Sequence, residues 1–404
     1  MKIKKIEFEG HKVLGDLSID LTDESGKPLD VVVFIGDNGT GKTQILKSIV
    51  DVFRLFELSM TSNNDNQSNN ITTKELESDT EISNQLVTLI VDERKLSFED
   101  SVKGSPFWTS WDDEPYKMSR SAPKRLVVWM PAELNIEKSH EVIYDIDDDF
   151  KVIEDASKWT LGDINKYIIE TINGALRQAA IKKTLTNETY DDEIKKINTI
   201  FKDLDLNVKL DSLPSGIDAI PIFKTNEGKK IDIKQLSSGE KHLFFRMISL
   251  KSLNINNAII IVDEPETSMH PDWQRKIIKV YESIGENNQI IMATHSPLIL
   301  GSVKTEGVRK LVRNDEGKIE LEPVSQTYGK NVEHLLKLTM DLDDVRDTDT
   351  AKKLKEASEM IKEGNNTRYN DIISELKEQL GTTDRNIVRL ELEKAIKEKQ
   401  HAKG

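Results

Sequence analysis

The most informative part of this sequence is VVVFIGDNGTGKTQ, residues 31–44. Its first half is a strand-like run of β-branched and aromatic residues, which leads into the spacing Gly36-x-x-x-x-Gly41-Lys42-Thr43. The residues that follow have the apolar spacing of a helix. A strand, a glycine-rich loop and a helix start in this order predict a loop whose backbone N–H groups surround phosphate oxygens, assisted by the helix dipole.

The side chains of this loop predict what it binds. Lys42 can reach the β- and γ-phosphates of a nucleotide, and the Thr43 hydroxyl can ligate Mg²⁺. ATP and Mg²⁺ are therefore the predicted ligands, and Lys42 has a predicted catalytic role. The residues predicted to bind the nucleotide are Gly36, Asp37, Asn38, Gly39, Thr40, Gly41, Lys42, Thr43 and Gln44.

A second apolar run, AIIIVDEPE at residues 258–266, contains two consecutive carboxylates. A continuous β-branched run is typical of a strand buried on both faces of a parallel sheet, and ligands bind at the carboxyl ends of such strands. We expect Asp263 to hold Mg²⁺ through a water molecule, with the Thr43 hydroxyl as a ligand. Glu264 is the predicted general base that polarises the attacking water.

The segment IIMATHSP, residues 290–297, repeats the pattern of an apolar run followed by polar side chains. His295 follows this predicted strand, where it can contact the γ-phosphate or orient the water. A lone histidine is usually structural, but the strand-end context favours a catalytic role here.

The segment LSSGEK, residues 236–241, precedes an amphipathic helix. Ser237, Ser238, Gly239 and Glu240 form a helix start rich in hydroxyl and amide groups, which is a second predicted anion site. The alternative is an ordinary serine N-cap with Glu240 in the first turn. Because one chain cannot easily place two helix starts on one γ-phosphate, we expect a second copy to supply one of them.

Composition narrows the class of protein. The chain has 404 residues, no cysteine and a net charge of −14. The missing cysteine excludes disulfides, thiolate metal sites and cysteine nucleophiles. We expect a cytoplasmic protein with no membrane partner, because neither a signal-peptide pattern at the start nor an apolar run of about 18 residues occurs. The acidic balance disfavours nucleic-acid binding by bulk charge, although a local basic groove leaves DNA as a partner to be tested.

The order of predicted elements gives four regions. Strands are expected at 2–9 and 17–21 ahead of the phosphate loop, a hairpin at 85–98 and a buried strand at 125–130. Two helices at 160–203 form a predicted helical insertion, followed by short strands near 206–210, 220–223 and 231–234. The predicted regions are an N-terminal ATPase lobe at 1–150, the helical insertion at 151–205, a C-terminal ATPase lobe at 206–325 and a helical tail at 326–404, with helices at 330–338, 349–363, 368–380 and 384–399.

The four segments, in this order, resemble the motifs of ABC-type ATPase heads. By that resemblance, residues 36–43 correspond to the Walker A motif and residues 236–241 to the signature. Asp263 and Glu264 correspond to the Walker B aspartate and the catalytic glutamate, and His295 to the switch histidine. The resemblance implies an α/β P-loop head with a mixed sheet and flanking helices. It also implies a homodimer, or a larger oligomer of dimers, in which two heads enclose two ATP molecules.

The residues of other segments resemble one particular group of these ATPases. DEPETSMHPDWQ (263–274) and ATHSP (293–297) are similar to OLD-type and related AAA ATPases of bacterial anti-phage systems, such as the Septu (PtuA) and PARIS (AriA) ATPases. The tail at 376–396 is similar to the C-terminal helices of Septu-type ATPases. These similarities imply an ATPase that senses a phage-encoded trigger and regulates a toxic effector, expected to be a nuclease.

Two other functions stay open at the level of sequence. A DNA-repair head of the RecF or SMC type would bind DNA in an ATP-dependent, salt-sensitive way. A nucleotide-gated scaffold would turn ATP over slowly or not at all. The intact Lys42, Asp263 and Glu264 favour turnover.

The chain departs from the ABC pattern in three places. No glutamine marks a Q-loop, and Glu133, in the segment 127–133 where that loop is expected, is not an obvious substitute. Ser268-Met269-His270 stands where a D-loop usually carries aspartate. OLD enzymes also carry a nuclease domain after the ATPase, whereas the tail has only the acidic group at 341–344. We therefore expect any nuclease activity to come from a partner.

Overall fold

The computed structural model describes residues 1–62, 86–92, 94–99, 107–109, 125–132, 150–153, 161–203, 206–214, 220–253, 255–339 and 346–401. The chain divides into two compact units, Met1–Leu335 and Leu336–Gly404. No helix among the described residues combines the length and the apolar character that crossing a bilayer requires.

The elements within these ranges carry the following bounds. The strands are β1 (Ile3–His11), β2 (Gly15–Asp20), β3 (Val31–Gly36), β4 (Leu86–Val91), β5 (Arg94–Glu99), β6 (Phe107–Thr109), β7 (Arg125–Met130), β8 (Phe150–Ile153), β9 (Val208–Ser212), β10 (Ile222–Thr225), β11 (Lys230–Ile231), β12 (Ile259–Asp263), β13 (Gln289–Ala293), β14 (Val308–Arg313) and β15 (Ile319–Glu322). The α-helices are α1 (Lys42–Ser62), α2 (Leu161–Ile181), α3 (Asn187–Asp203), α4 (Ser238–Ser252), α5 (Pro271–Gln274), α6 (Ile277–Glu282), α7 (Pro297–Leu300), α8 (Val332–Thr339), α9 (Thr348–Glu363), α10 (Asn366–Leu380) and α11 (Arg385–His401).

A mixed sheet with the described strand order β15-β14-β3-β13-β12-β7-β8 forms the centre of the first unit. The pairs from β14 through β8 are parallel, and β15 pairs with β14 in the antiparallel sense. The strands before the phosphate loop, before Glu264 and before His295 are therefore neighbours that point the same way. Their carboxyl ends meet at one edge of the sheet, where ligands bind in this class of fold.

Both faces of this sheet are covered, which explains the continuous apolar runs in its strands. On β3, Val32 and Phe34 belong to a core that also contains α1 and strand β1, whereas Val33 and Ile35 belong to a second core that also contains α4. Because side chains alternate across a strand, one run of apolar residues supplies both cores. The predicted α/β class, with a mixed sheet and flanking helices, is confirmed.

A second, antiparallel sheet of order β2-β1-β4-β5-β6 packs on the α1 side. The predicted strands at 2–9 and 17–21 pair as β1 and β2, and the predicted hairpin is the β4–β5 pair. Gln289, fully buried at the start of β13, connects the two sheets. Its Oε1 accepts from the Ile3 N–H at 2.7 Å, and its Nε2 donates to the carbonyls of Ile3 and Leu29 at 2.8 and 3.0 Å.

The two predicted helices of the insertion are present as α2 and α3. Ile164, Ile168 and Ile172 of α2 are fully buried in the same core as the central sheet and α4. The helices are thus part of the packing that supports the head.

Three short strands follow α3 and form an antiparallel sheet of order β11-β10-β9. The prediction of a strand at 231–234 is wrong beyond Ile231, because Ile233–Gln235 form a single 3₁₀ turn. Asp232 and Gln235 make a capping box that stabilises this turn, which is a local side-chain effect that the alternation of residues does not reveal.

The second unit contains the tail helices α9, α10 and α11. Residues of α9, α10 and α11 share an apolar core that includes Leu354, Ala357, Tyr369, Leu376 and Leu390. Asp347 caps α9, and Gly364 ends it with a left-handed φ of 77°. The predicted C-terminal helical tail is confirmed.

Candidate nucleotide-binding site

The phosphate loop between β3 and α1 requires its glycines. Gly36, Gly39 and Gly41 have φ values of 143°, 80° and 89°, which side chains rarely tolerate. A Cβ at Gly36 would lie 2.2 Å from the Leu311 carbonyl oxygen, and one at Gly41 would lie 2.4 Å from a methyl group of Leu14. The loop therefore keeps a shape that brings its backbone close to a ligand, as a phosphate cradle needs.

The Lys42 ammonium lies within this loop. Its Nζ donates to the carbonyls of Gly36 and Asp37 at 2.8 and 2.9 Å. Burial lowers the pKa of Lys42, and the nearby carboxylates, with Glu264 first, oppose that shift. The position fits the predicted contact with phosphate oxygens, whose negative charge compensates a partly buried ammonium.

Thr43 and Asp263 meet across 220 positions of sequence. The Thr43 hydroxyl donates to the two carboxylate oxygens of Asp263, at 3.0 and 3.3 Å. Burial raises the pKa of Asp263, and the bond from Thr43 opposes the shift. A hydroxyl beside a carboxylate is a suitable set of oxygen ligands for Mg²⁺, so the residues present fit the predicted cation.

Glu264 and His295 come together because β12 and β13 are parallel neighbours. The Glu264 N–H donates to the Ala293 carbonyl at 2.9 Å, which extends the pairing beyond the strand ends. His295 Nε2 then lies 3.7 Å from Glu264 Oε1, with both side chains partly exposed. Burial and the Lys42 charge lower the pKa of His295, and Glu264 opposes the shift.

Glu266 is a residue of this edge that sequence reasoning missed. Its Oε1 accepts a 2.6 Å hydrogen bond from the His295 N–H, and burial raises its pKa. The repeated acid in Asp-Glu-Pro-Glu was the available signal, because a carboxylate two positions after the predicted base follows the same strand end. The prediction assigned roles only to Asp263 and Glu264.

The signature segment forms the start of α4, which begins at Ser238. Ser237 is the N-cap: its Oγ accepts from the Glu240 N–H at 3.3 Å, and the Glu240 carboxylate accepts from the Ser237 N–H at 2.9 Å. This is the ordinary capping arrangement that stood as the alternative. Gly239 is buried, and a Cβ there would lie 2.6 Å from the Ser268 carbonyl oxygen and 3.1 Å from the Trp273 ring. The signature start therefore packs directly on the segment that follows Walker B.

The candidate Q-loop region leads from β7, which pairs with β12 in the central sheet. Arg246 of α4, almost fully buried, donates from one guanidinium nitrogen to the carbonyls of Pro131 and Ala132 at 2.8 and 3.1 Å. These bonds attach the signature helix to the end of β7. Glu133 lies outside the described residues.

The structure brings together five predicted site residues: Lys42, Thr43, Asp263, Glu264 and His295. Asp37, Asn38 and Gly39 are exposed at the loop tip, Thr40 is buried beneath it and Gln44 is exposed on α1. Arg313, which was not predicted, donates to the Gly39 carbonyl at 3.0 Å. The acidic group at 341–344 lies outside the described residues.

A P-loop followed by α1, with carboxylate and histidine at the ends of adjacent parallel strands, defines a P-loop nucleotide-binding head of the ABC type. The chain belongs to the family described as "AAA domain, putative AbiEii toxin, Type IV TA system", whose model matches residues 31–301, more than half of the chain.

Curated relatives are similar to part of the chain. "Retron Vc95 probable ATPase" of Vibrio cholerae serotype O1 biovar El Tor is 29% identical over 183 residues, which covers 41% of this chain and 35% of that relative. "Septu protein PtuA" of Bacillus thuringiensis is 25% identical over 172 residues, which covers 38% and 43% respectively. The matches span less than half the length of these relatives. The resemblance to ABC-type ATPases of anti-phage systems is confirmed.

One solved structure, the SMC head domain from Thermotoga maritima, aligns with a TM-score of 0.43 and 14% identity, covering 80% of this chain and 100% of that chain.

Proposed function

We propose that this chain binds ATP with Mg²⁺ and hydrolyses it, and that this cycle regulates a toxic effector in an anti-phage complex. The observation that carries the ATPase assignment is the convergence at one sheet edge of Lys42, Asp263, Glu264 and His295. Homologues described as probable ATPases support it at the level of the family.

The proposal gives each residue a part in hydrolysis. A water oxygen attacks the γ-phosphorus, the bond from that phosphorus to the β–γ bridging oxygen breaks, and Glu264 accepts the water proton. His295, 3.7 Å from Glu264, helps to orient the water or contacts the γ-phosphate. Lys42 and the loop amides bind the phosphates. Thr43 and Asp263 would hold Mg²⁺, which supplies charge stabilisation on the transferred phosphoryl group.

The proposal includes a second copy of the chain. Lys42 and the signature start at Ser237–Gly239 are two phosphate-binding elements, and a homodimer would let each nucleotide use one element from each copy. The resemblance to ABC-type heads supports this arrangement. ATP binding would then be coupled to closure of the dimer.

The last part of the proposal concerns the effector that the ATPase would regulate. The similarity to the Septu protein PtuA and to retron ATPases supports a role in defence, and the described residues contain no cluster of three or more His, Asp or Glu side chains suited to a metal. We propose that a separate nuclease partner carries the toxic activity and that a phage-encoded trigger releases it.

The test combines mass photometry with ATPase rates for the chain expressed with and without its genomic neighbour. Glu264→Gln should bind ATP, accumulate as a closed dimer and lose about 10²- to 10⁴-fold in kcat, the range for loss of a general base. Glu282→Gln, at an exposed position of α6, is the matched control and should behave as wild type.

Three outcomes would contradict parts of the proposal. Wild-type turnover in Glu264→Gln would reject the assignment of the base. An inert monomer with ATP would reject the dimer. A dimer that ignores the neighbour, and whose ATPase rises with added DNA in a salt-dependent way, would replace the effector hypothesis by a DNA-repair function.

A further inference from the structure

Two side-chain contacts attach the loop after β13, residues 294–296, to the segment that follows β12. Glu266 Oε1 accepts a 2.6 Å hydrogen bond from the His295 N–H. Ser296 Oγ donates a 2.6 Å bond to Gln274 Oε1, and Gln274 Nε2 donates to the Met269 carbonyl at 3.1 Å. The loop that carries the predicted switch histidine is thus held by side chains without an assigned role.

The bond from His295 to Glu266 completes a reciprocal connection between two strand ends. The Glu264 N–H, just after β12, donates to the Ala293 carbonyl, the last of β13, at 2.9 Å. Two residues further along each chain segment, Glu266 accepts from His295. The backbones that carry Glu264 and His295 are therefore fixed to each other in both directions, and their side chains lie 3.7 Å apart as a result.

The surroundings of the Glu266 carboxylate disfavour its charged form. Its Oε2 is buried and has no hydrogen-bond partner within the described part of the chain. A buried carboxylate is costly unless its hydrogen bonds compensate. The 2.6 Å bond from the His295 N–H is one of the interactions that favour the charged carboxylate, together with the Glu266 N–H and the Thr294 hydroxyl. Bonds to a charged acceptor are roughly twice as strong as neutral ones.

We propose that Glu266 is a positioning residue for the ATPase reaction, which sets the place of the His295 imidazole relative to Glu264 through the His295 backbone. The inference rests on the proposed ATPase function. This role is indirect, since the bond is to the backbone N–H of His295 and not to its imidazole.

Three substitutions of Glu266 separate its acceptor position from its charge. Glu266→Ala removes the acceptor and should lower kcat by about 10- to 100-fold, the scale expected when a reacting group is misplaced by about 1 Å. Glu266→Asp keeps the charge, but its side chain is one methylene shorter and moves the acceptor oxygen away from the His295 N–H. This variant should therefore also lower kcat. Glu266→Gln keeps an acceptor oxygen at the same reach and should restore most of the rate. The ATP dissociation constant should stay close to wild type in all three.

A double-mutant cycle with His295→Ala tests whether Glu266 acts through the histidine. In the His295→Ala background, Glu266→Ala should cause no further loss of kcat, because the imidazole that Glu266 would position is already absent. Glu282→Ala, exposed on α6, is the control in both backgrounds. An equal loss in both backgrounds, a weakened ATP affinity or a failure of Glu266→Gln to restore the rate would overturn the positioning role.

The same assays distinguish this inference from the function on which it rests. If wild type does not hydrolyse ATP, or if Glu264→Gln hydrolyses it normally, the proposed function is wrong and the inference falls with it. If both behave as expected but Glu266→Ala and Glu266→Asp keep the wild-type kcat, only the role of Glu266 is wrong.

Discussion

Two helix starts carry the predicted phosphate contacts, and they are built differently. The start of α1 follows a loop with three glycines at positive φ, and the ammonium of Lys42 donates to carbonyls of that loop. The start of α4 is capped by its own side chains, because the Ser237 hydroxyl and the Glu240 carboxylate each accept a hydrogen bond from the other residue's backbone N–H. The first is shaped for a ligand within one chain. The second satisfies the N–H groups of Ser237 and Glu240 with its own side chains, so a ligand there must compete with Glu240 or use other amides of the helix start.

The largest expected effect is at the α1 start. Lys42→Ala should weaken ATP binding and lower kcat by about 10²- to 10³-fold, the scale for removing one preorganised donor from developing charge. Titration with a fluorescent nucleotide and a steady-state ATPase assay would measure both. Lys279→Ala, exposed on α6, is the control. Normal binding and turnover in Lys42→Ala would mean that the loop does not bind the phosphates as proposed.

The next effect tests the α4 start. Gly239→Ala places a methyl group within 2.6 Å of the Ser268 carbonyl oxygen and 3.1 Å of the Trp273 ring, so the helix start must shift. Overpacking of this kind typically destabilises a fold by about 1–3 kcal/mol. ATP binding to the P-loop should persist, while turnover and dimer formation fall. Comparison of nucleotide affinity with mass photometry checks this, and a variant that dimerises normally with ATP would contradict it.

A smaller effect concerns the capping box itself. Glu240→Ala removes the bonds that the Ser237 N–H and hydroxyl donate to its carboxylate, at 2.9 and 2.8 Å. The loss should lower the free energy of unfolding by about 0.5–2 kcal/mol, as for other N-cap disruptions. Glu240→Gln keeps an acceptor and should lose less. Urea denaturation of both variants measures the difference; equal losses would show that charge, and not the capping geometry, stabilises this start.

The smallest expected effect is pH-dependent and lies beneath the phosphate loop. His11 Nδ1 accepts the N–H groups of Val13 and Leu14, both at 3.1 Å, and a Leu14 methyl group fills the space that a Cβ at Gly41 would take. This needs the neutral imidazole, and burial lowers the pKa of His11. The unfolded chain takes up a proton near pH 6.5, so the contribution is fully present above that pH and is lost as pH falls toward the lower folded pKa.

Denaturation at pH 7.5 and at pH 5.5 checks this pH dependence. Wild type should lose more stability on acidification than His11→Gln, whose side chain does not titrate. An equal loss in the two proteins would show that His11 is not the group responsible.

Local patterns predicted most of the elements and the five converging residues. Lys42 and Thr43 follow a glycine loop, and Asp263, Glu264 and His295 follow apolar runs. Such runs predict buried parallel strands, and the carboxyl ends of parallel strands meet at one edge. The turn at Ile233–Gln235 was missed because a capping box, and not residue alternation, decides it. The role of the signature residues as an anion site stays a prediction.

The sequence alone therefore determined the fold class and the edge of the sheet where ATP is expected, since spacing and hydrophobic period are local properties. How the side chains at that edge are connected depends on the tertiary structure. The bond from His295 to Glu266 spans 29 positions, and that from Arg246 to Pro131 spans 115. Such contacts depend on which strands become neighbours and on how side chains pack between them, and no short-range pattern in the chain encodes either.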